Sequence, residues 1–363
     1  MNAPVTIPRH PSEVTGAWLS AALSTAENPV TIGDVDVHAV GTGQTGATYR
    51  LTPTYLSDPG TLPATFVIKL PVLDDSVRAG VVLGYISEVA FYAKAAGGLH
   101  VPTPRCYYSD INEDGSEFAL LLADMNPAVQ GDQLAGCGAH AAQLAVTALA
   151  GLHGPSWCDP RWLELTECAM PKPGDAAASG GLGQIAEMGV GIVLDKIGDQ
   201  LDAAERETLT AAMGLVTPWL LHDRERFSLM HGDYRLDNLL FDPAADAVSV
   251  VDWQTMGVGL PARDLAYFLG TSLLPDARRE HEADLVHRYH DALGKYGITG
   301  YDRETCWQDY RFGMLQVPLI ATLGCAFAST TERGDEMMVV MLRRGCEAIR
   351  DLGTLDLIES PTG

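Results

Sequence analysis

The stretch His231-Gly232-Asp233-Tyr234-Arg235-Leu236-Asp237-Asn238-Leu239-Leu240-Phe241 sets an acid and an amide five residues apart, just ahead of an apolar run. Eleven residues after Phe241 comes Asp252, within Val250-Val251-Asp252-Trp253. Carboxylate and amide oxygens are hard donors suited to magnesium, and a carboxylate can also take a proton from a hydroxyl. Phosphoryl transfer asks for this combination: an acid near the acceptor hydroxyl, and oxygen ligands for the metal that rides on the nucleotide phosphates. Any one of the three could instead cap a turn. Three in this order and at this spacing favour a shared site.

Two features upstream bear on the same chemistry. Gly41-Thr42-Gly43-Gln44-Thr45-Gly46 matches Gly-x-Gly-x-x-Gly, whose glycines let backbone amides approach a phosphate. An isolated match is equally a glycine-rich hairpin turn. A dinucleotide-binding turn would open into a helix, whereas Ala47–Thr54 alternates like a strand, so a flap between two strands fits better. No Gly-Lys-Ser/Thr occurs, which removes the P-loop. Lys69 closes the apolar run Phe66-Val67-Ile68 and can hold phosphates if a carboxylate orients it. Glu88 is the natural partner; the alternative is a strand-end lysine facing water.

Holding these residues together requires particular elements. Strands are expected at Val35–Val40, Ala47–Thr54, Thr65–Leu70 and Phe118–Leu122. Helices are expected at Ser12–Leu23, with Ser12 as N-cap, and at Val81–Ala96. Later come Ala139–Leu152, Gln184–Ile197, Ala203–His222 and most of the chain beyond Asp264. One strand pair interrupts them, Asn238–Phe241 and Val248–Trp253, joined by the turn sequence DPAADA. A hairpin there sets Asn238 beside Asp252. Strands first and helices later predict an α+β chain: a β-rich lobe over 1–124, opening with the short helix, and a mainly helical lobe over 125–363.

HGDYRLDNLLF followed by VVDW resembles the aminoglycoside phosphotransferase and choline kinase family, small-molecule relatives of the protein kinases, over about Val35 to Phe268. The resemblance implies a two-lobed protein-kinase-like fold and ATP-dependent transfer of the γ-phosphoryl group to a hydroxyl of a small molecule. It implies Asp233 as catalytic base, Asn238 and Asp252 as magnesium ligands, and Lys69 with Glu88 as the phosphate-anchoring pair. Gly41, Gly43 and Gly46 would form the flap, and Leu122, Ala123 and Asp124 would meet the adenine with their backbone. Arg235 is either a contact for the transferred phosphoryl group or a surface arginine. His231 is expected to brace the loop, and Asp264 to support it from a helix start, where a carboxylate suits the dipole. The implied cofactors are ATP, or another nucleoside triphosphate, and Mg2+. Gly232 stands where protein kinases carry the arginine of His-Arg-Asp, Trp253-Gln254 replaces Phe-Gly, and no Ala-Pro-Glu follows. These departures favour a small acceptor over a protein. The rival readings are a nucleotide-binding protein without activity and, behind it, a protein kinase.

Bulk properties narrow the partners. With 24 basic and 47 acidic residues the net charge is −23, which argues against binding nucleic acid by phosphate neutralisation and is compatible with a cationic acceptor. Trp157, Trp162, Met170, Met188, Tyr310, Phe312 and Met314 would suit an apolar acceptor pocket, but core packing is the expectation for each. The N-terminus lacks a signal-peptide core, and Phe312–Ala328 falls short of the roughly 20 residues that span a bilayer, so no membrane partner is expected. Seven cysteines without a Cys-x-x-Cys pair point to reduced thiols and a cytoplasmic protein.

Overall fold

The computed structural model describes residues 5–40, 46–222, 225–328 and 331–359, which divide into two compact units. The first runs up to Gly97 and resumes from Thr103 to Pro127. Its strands β1 (Ile32–Ala39), β2 (Gly46–Tyr55), β3 (Phe66–Pro71), β4 (Cys106–Ile111) and β5 (Phe118–Ala123) form one antiparallel sheet in the order β1-β2-β3-β5-β4. Side chains alternate across it as strand geometry requires. Phe66, Ile68 and Leu70 bury on one face together with Leu19 and Leu23 of α1 (Gly16–Leu23). Phe118, Leu120 and Leu122 bury on the other with Tyr85 and Val89 of α2 (Asp75–Ala90). Lys69 pairs with Leu120 and has the parity of that second face, so it points toward α2.

The helix expected from Ser12 begins later: Pro11–Glu13 make a single 3-10 turn, and α1 is capped by Thr15, whose hydroxyl accepts from Trp18 N at 3.2 Å. α2 begins before Val81 and passes at Phe91 into a π turn ending at Ala95. β4 was not anticipated, because every residue of it is half-buried and no alternation shows.

The second unit takes in Gly98–Pro102 and the chain from Ala128 onward. β6 (Val129–Gln130), β8 (Leu239–Asp242) and β9 (Ala247–Val250) form a small sheet, and β7 (Ser228–Met230) pairs with β10 (Gly257–Gly259). The helices are α3 (Ala139–Ser156), α4 (Ala176–Ile197), α5 (Ala203–Gly214), α6 (Val216–His222), α7 (Ala262–Ser272), α8 (Pro275–Gly294), α9 (Arg303–Gly313), α10 (Gln316–Phe327), α11 (Glu332–Leu352) and α12 (Thr354–Glu359). α7 is buried along its whole length, packed among α3, α8, α9, α10 and α11. The single helix expected over Ala203–His222 breaks at Leu215, and Pro218 falls in the first turn of α6, where a missing N–H goes unnoticed. An antiparallel sheet followed by a helical unit is the α+β class expected.

Trp162, Met170, Tyr310, Phe312 and Met314 are core residues, whereas Met188 is 59% exposed on α4 beside Ile185 and Ile192. By length and composition Ala176–Gln200 is apolar enough to cross a membrane, and a third of it is buried. The other apolar stretch, Phe312–Ala328, contains the core helix α10. All seven cysteines are unpaired. Burial pushes the thiol of Cys106 up to about 11 and those of Cys137, Cys306 and Cys346 to about 12.

Candidate active site

In the β-rich unit, Lys69 Nζ lies 2.7 Å from both carboxylate oxygens of Glu88 on α2. Glu88 is fully buried and Lys69 nearly so. Charges taken out of water persist only when closely paired, so each holds the other in place. Leu122 and Ala123 end β5, and the Ala123 amide donates to Arg105 O at 2.8 Å. Asp124 follows, accepting from Arg50 Nε at 2.7 Å and Asn126 N at 3.1 Å. Burial alone would raise its carboxyl pKa, but the Arg50 hydrogen bond and charge, together with hydrogen bonds from Asn126 N and Thr65, hold it below the ordinary value. Gly46 opens β2 opposite Pro71, while Gly41 and Gly43 lie outside the described residues.

In the helical unit, β7 delivers the chain to His231 and β8 carries it away. Leu239 pairs with Val250, and Val251 N donates to Asn238 O at 3.0 Å, which seats Asp252 at the head of the hairpin next to Asn238. The returning strand ends at Val250 and not at Trp253, since Asp252 turns out of it with φ +66°. That left-handed conformation is uncommon for a residue with a Cβ and tolerable for Asp.

Asp233 lies at the centre. Tyr267 OH donates to Oδ1 at 2.6 Å. Asn238 Nδ2 donates to Oδ2 at 2.9 Å and to the Asp233 carbonyl at 2.8 Å. Arg235 Nε sits 3.0 Å from each carboxylate oxygen. Arg235 is therefore no surface arginine. Its Nη1 donates to Asp237 Oδ2 at 2.9 Å and meets Met337 Sδ at 3.0 Å, while Arg333 donates to Asp237 from the other side. Burial would lower the Arg235 pKa, but Asp233, Tyr267 and Asp237 more than reverse this and keep the guanidinium charged.

Asn238 spends its amide nitrogen on Asp233, leaving the amide oxygen as its atom for a metal. With Asp252 following Val251 in the same hairpin, the pair would offer two hard protein oxygens, which suits magnesium because that ion keeps waters and phosphate oxygens in its shell. Among the described residues no cluster of three or more His, Cys, Asp or Glu could hold a metal on its own.

The loop is braced by buried groups packed behind it. Asp264, fully buried at the start of α7, accepts from His231 N at 2.6 Å and Gly232 N at 2.9 Å, with His153 Nε2 at 3.2 Å. Burial alone would raise its pKa, but His153 foremost, with His231 and the Gly232 amide, brings it below the ordinary carboxylate value. His231 accepts from Asp233 N on Nδ1 at 3.3 Å, so its proton sits on Nε2, which donates to Val251 O at 3.0 Å. One ring thus ties Asp233 to the strand end carrying Asp252. Gly232 has φ +84°, and a Cβ there would fall 2.2 Å from Thr255 O, so no other residue fits without moving the loop. Its carbonyl accepts from Gln316 Nε2 at 3.0 Å, and Gln316 is held in turn by Arg263.

Sequence reading passed over Tyr267, Asp237, Gln316 and His153. A signal existed only for Tyr267, which follows Asp264 by three residues and so lies one helical turn along the same face.

Residues 192–297 match the sequence pattern of the Ecdysteroid kinase-like family. A segment of 183 residues, 47% of the chain, is 30% identical to acyl-CoA dehydrogenase family member 11 of Gallus gallus and covers 21% of it, so the chain spans about a fifth of that relative. Among solved structures, a protein of Ralstonia eutropha JMP134 described as an aminoglycoside phosphotransferase aligns over 93% of this chain and 97% of its own, with TM-score 0.55 and 20% identity. Plasmodium vivax ethanolamine kinase aligns over 88% and 82%, with TM-score 0.51 and 13% identity. The GDP and kanamycin complex of the aminoglycoside phosphotransferase APH(2")-IIIa aligns over 85% and 92%, with TM-score 0.52 and 15% identity. At such identities the likeness is one of fold.

Proposed function

The protein has the protein-kinase-like fold of small-molecule kinases, and from that premise we propose that it transfers the γ-phosphoryl group of ATP to a hydroxyl of a small molecule. One observation supports the reading: the Asp233 carboxylate accepts from Asn238 Nδ2, and the hairpin that Asn238 opens brings the chain back to it at Val251, the residue before Asp252. Asp233 would receive or orient the acceptor's hydroxyl proton. Asn238 and Asp252 would hold magnesium, which supplies charge neutralisation on the phosphates. Arg235, whose guanidinium touches Asp233, would meet the transferred group. In the β-rich unit, Lys69 oriented by Glu88 is the set that would anchor nucleotide phosphates, with Gly41, Gly43 and Gly46 as flap and Leu122–Asp124 as adenine contact.

Such a site works by positioning and charge stabilisation, with little covalent chemistry of its own. The kanamycin and ethanolamine of the structural relatives are both amines, which supports a cationic acceptor for a chain of net charge −23. Unpaired thiols support a reducing compartment, and the cytoplasm is the one we propose.

The test has two steps. A metabolite and antibiotic panel screened by thermal shift, with magnesium and a non-hydrolysable ATP analogue, identifies the acceptor. Turnover of labelled ATP with that acceptor is then compared between wild type and Asp233→Ala. Unchanged turnover in the variant refutes the reading. Nucleotide binding without transfer to any acceptor would instead favour an inactive nucleotide-binding protein.

A further inference from the structure

A carboxylate has about four lone-pair positions, and four donor contacts fall on Asp233: Tyr267 and Arg235 on Oδ1, Asn238 and Arg235 on Oδ2. An acceptor hydroxyl needs one of those positions, so one donor must yield. Arg235 is the one that can. It offers a single Nε hydrogen to two oxygens at 3.0 Å each, and a hydrogen shared this way aligns poorly with either. Its Nη1 remains anchored on Asp237 and Met337 when Nε lets go. Asn238 is committed through the same amide to the Asp233 carbonyl. Tyr267 makes the shortest contact of the set, from a helix with no exposed residue. Burial first, and the charge of Asp233 second, hold its phenol well above its usual pKa of 10, so it stays a donor.

We propose that Tyr267 is a positioning residue for the reaction: its O–H fixes Oδ1 of Asp233, so that the carboxylate keeps its aim when an acceptor hydroxyl displaces the Arg235 Nε contact. The inference rests on the reading of Asp233 as the base. In the step itself the hydroxyl proton passes to Asp233 while the acceptor oxygen bonds to the γ-phosphorus. The bond from that phosphorus to the bridging oxygen breaks, and its electron pair leaves with ADP. Tyr267 transfers no proton.

The test uses the full chain, magnesium-ATP and water as the acceptor, so no natural acceptor is needed. Tyr267→Phe keeps the ring and its packing. It should lower kcat for ATP hydrolysis about 10-fold while the affinity for a non-hydrolysable ATP analogue stays within about two-fold. In an Asp233→Ala background the same substitution should change kcat by less than about two-fold, because its effect runs through Asp233. An unchanged kcat in Tyr267→Phe, or an equal loss in both backgrounds, overturns the proposal.

A second readout needs no turnover. The 15N–1H resonance of Arg235 Nε in the ligand-free protein should shift and exchange faster with solvent in Tyr267→Phe, as the carboxylate loses its fixed partner. An unmoved resonance overturns the coupling even if nothing is hydrolysed. Should the wild type neither bind nor hydrolyse magnesium-ATP, the phosphotransferase reading fails, and the resonance still decides whether Tyr267 positions Asp233.

Discussion

At the scale of single residues, the role proposed for Asp233 is one that would separate chemistry from binding. Asp233→Asn keeps the shape of the side chain but removes the proton acceptor. The expected result is a fall in kcat of about 10²- to 10⁴-fold with nucleotide affinity retained, checked by steady-state kinetics alongside calorimetric titration of the nucleotide. Lys69 and Glu88 give a different signature because Glu88 is fully buried and Lys69 nearly so. Lys69→Met removes the charge that offsets the buried Glu88 carboxylate and should cost about 3–5 kcal/mol in denaturant unfolding, whereas Lys69→Met combined with Glu88→Leu should recover much of that loss. Equal losses in the single and double variants would show that the pair is not coupled. Asp233, Asn238 and Asp252 stand out in the sequence because two aspartates and an asparagine in this order and spacing are rare by accident. Tyr267 is not, because a tyrosine inside Asp264-Leu265-Ala266-Tyr267-Phe268 has the character of a core residue, and in burial it is one.

At the scale of elements, the loop depends on backbone geometry at its entry. Gly232→Ala meets both a left-handed φ and Thr255 O at 2.2 Å, so it should lower Tm and kcat together, measured by calorimetry and ATP turnover. α7 contributes Asp264, and its effect has a definite sign with pH. The folded-state pKa of this carboxyl lies below the ordinary value, so its stabilisation is complete above the unfolded pKa of about 4 and is lost as pH falls through the folded value. The Tm gap between wild type and Asp264→Asn should therefore be constant from neutral pH down to about pH 5 and narrow below about pH 4. A gap that widens toward acid would contradict the assignment. Element types follow from pattern and length, since β3 alternates along most of its length and β5 is a short, continuously buried apolar run. Boundaries do not: neither the break at Leu215 nor the π turn at Phe91 shows in the hydrophobic pattern.

At the scale of the whole molecule, ligand binding is the expected source of added stability. Magnesium with a non-hydrolysable ATP analogue at about 100 times Kd should add about 2.7 kcal/mol, seen as a rise in Tm that a chelator reduces. Asp252→Ala should abolish the magnesium dependence of that rise, and a rise insensitive to both chelator and substitution would argue against the metal site. Composition gave the α+β class no help; the order of strand and helix patterns did. The net charge of −23 bears on solubility and on the sign of the acceptor more than on the fold.

The state of the thiols has a practical consequence. A thiol reacts as its thiolate, so Cys106, Cys137, Cys306 and Cys346, pushed up to about 11–12 by burial, will be slow toward maleimides at neutral pH. With Cys158 replaced by serine, a cysteine introduced on an exposed position of each unit would label ahead of the native ones. Fluorophores at two such positions would turn the native cysteine content from an obstacle into a silent background, and energy transfer between them would report whether nucleotide or acceptor alters the distance between the labels.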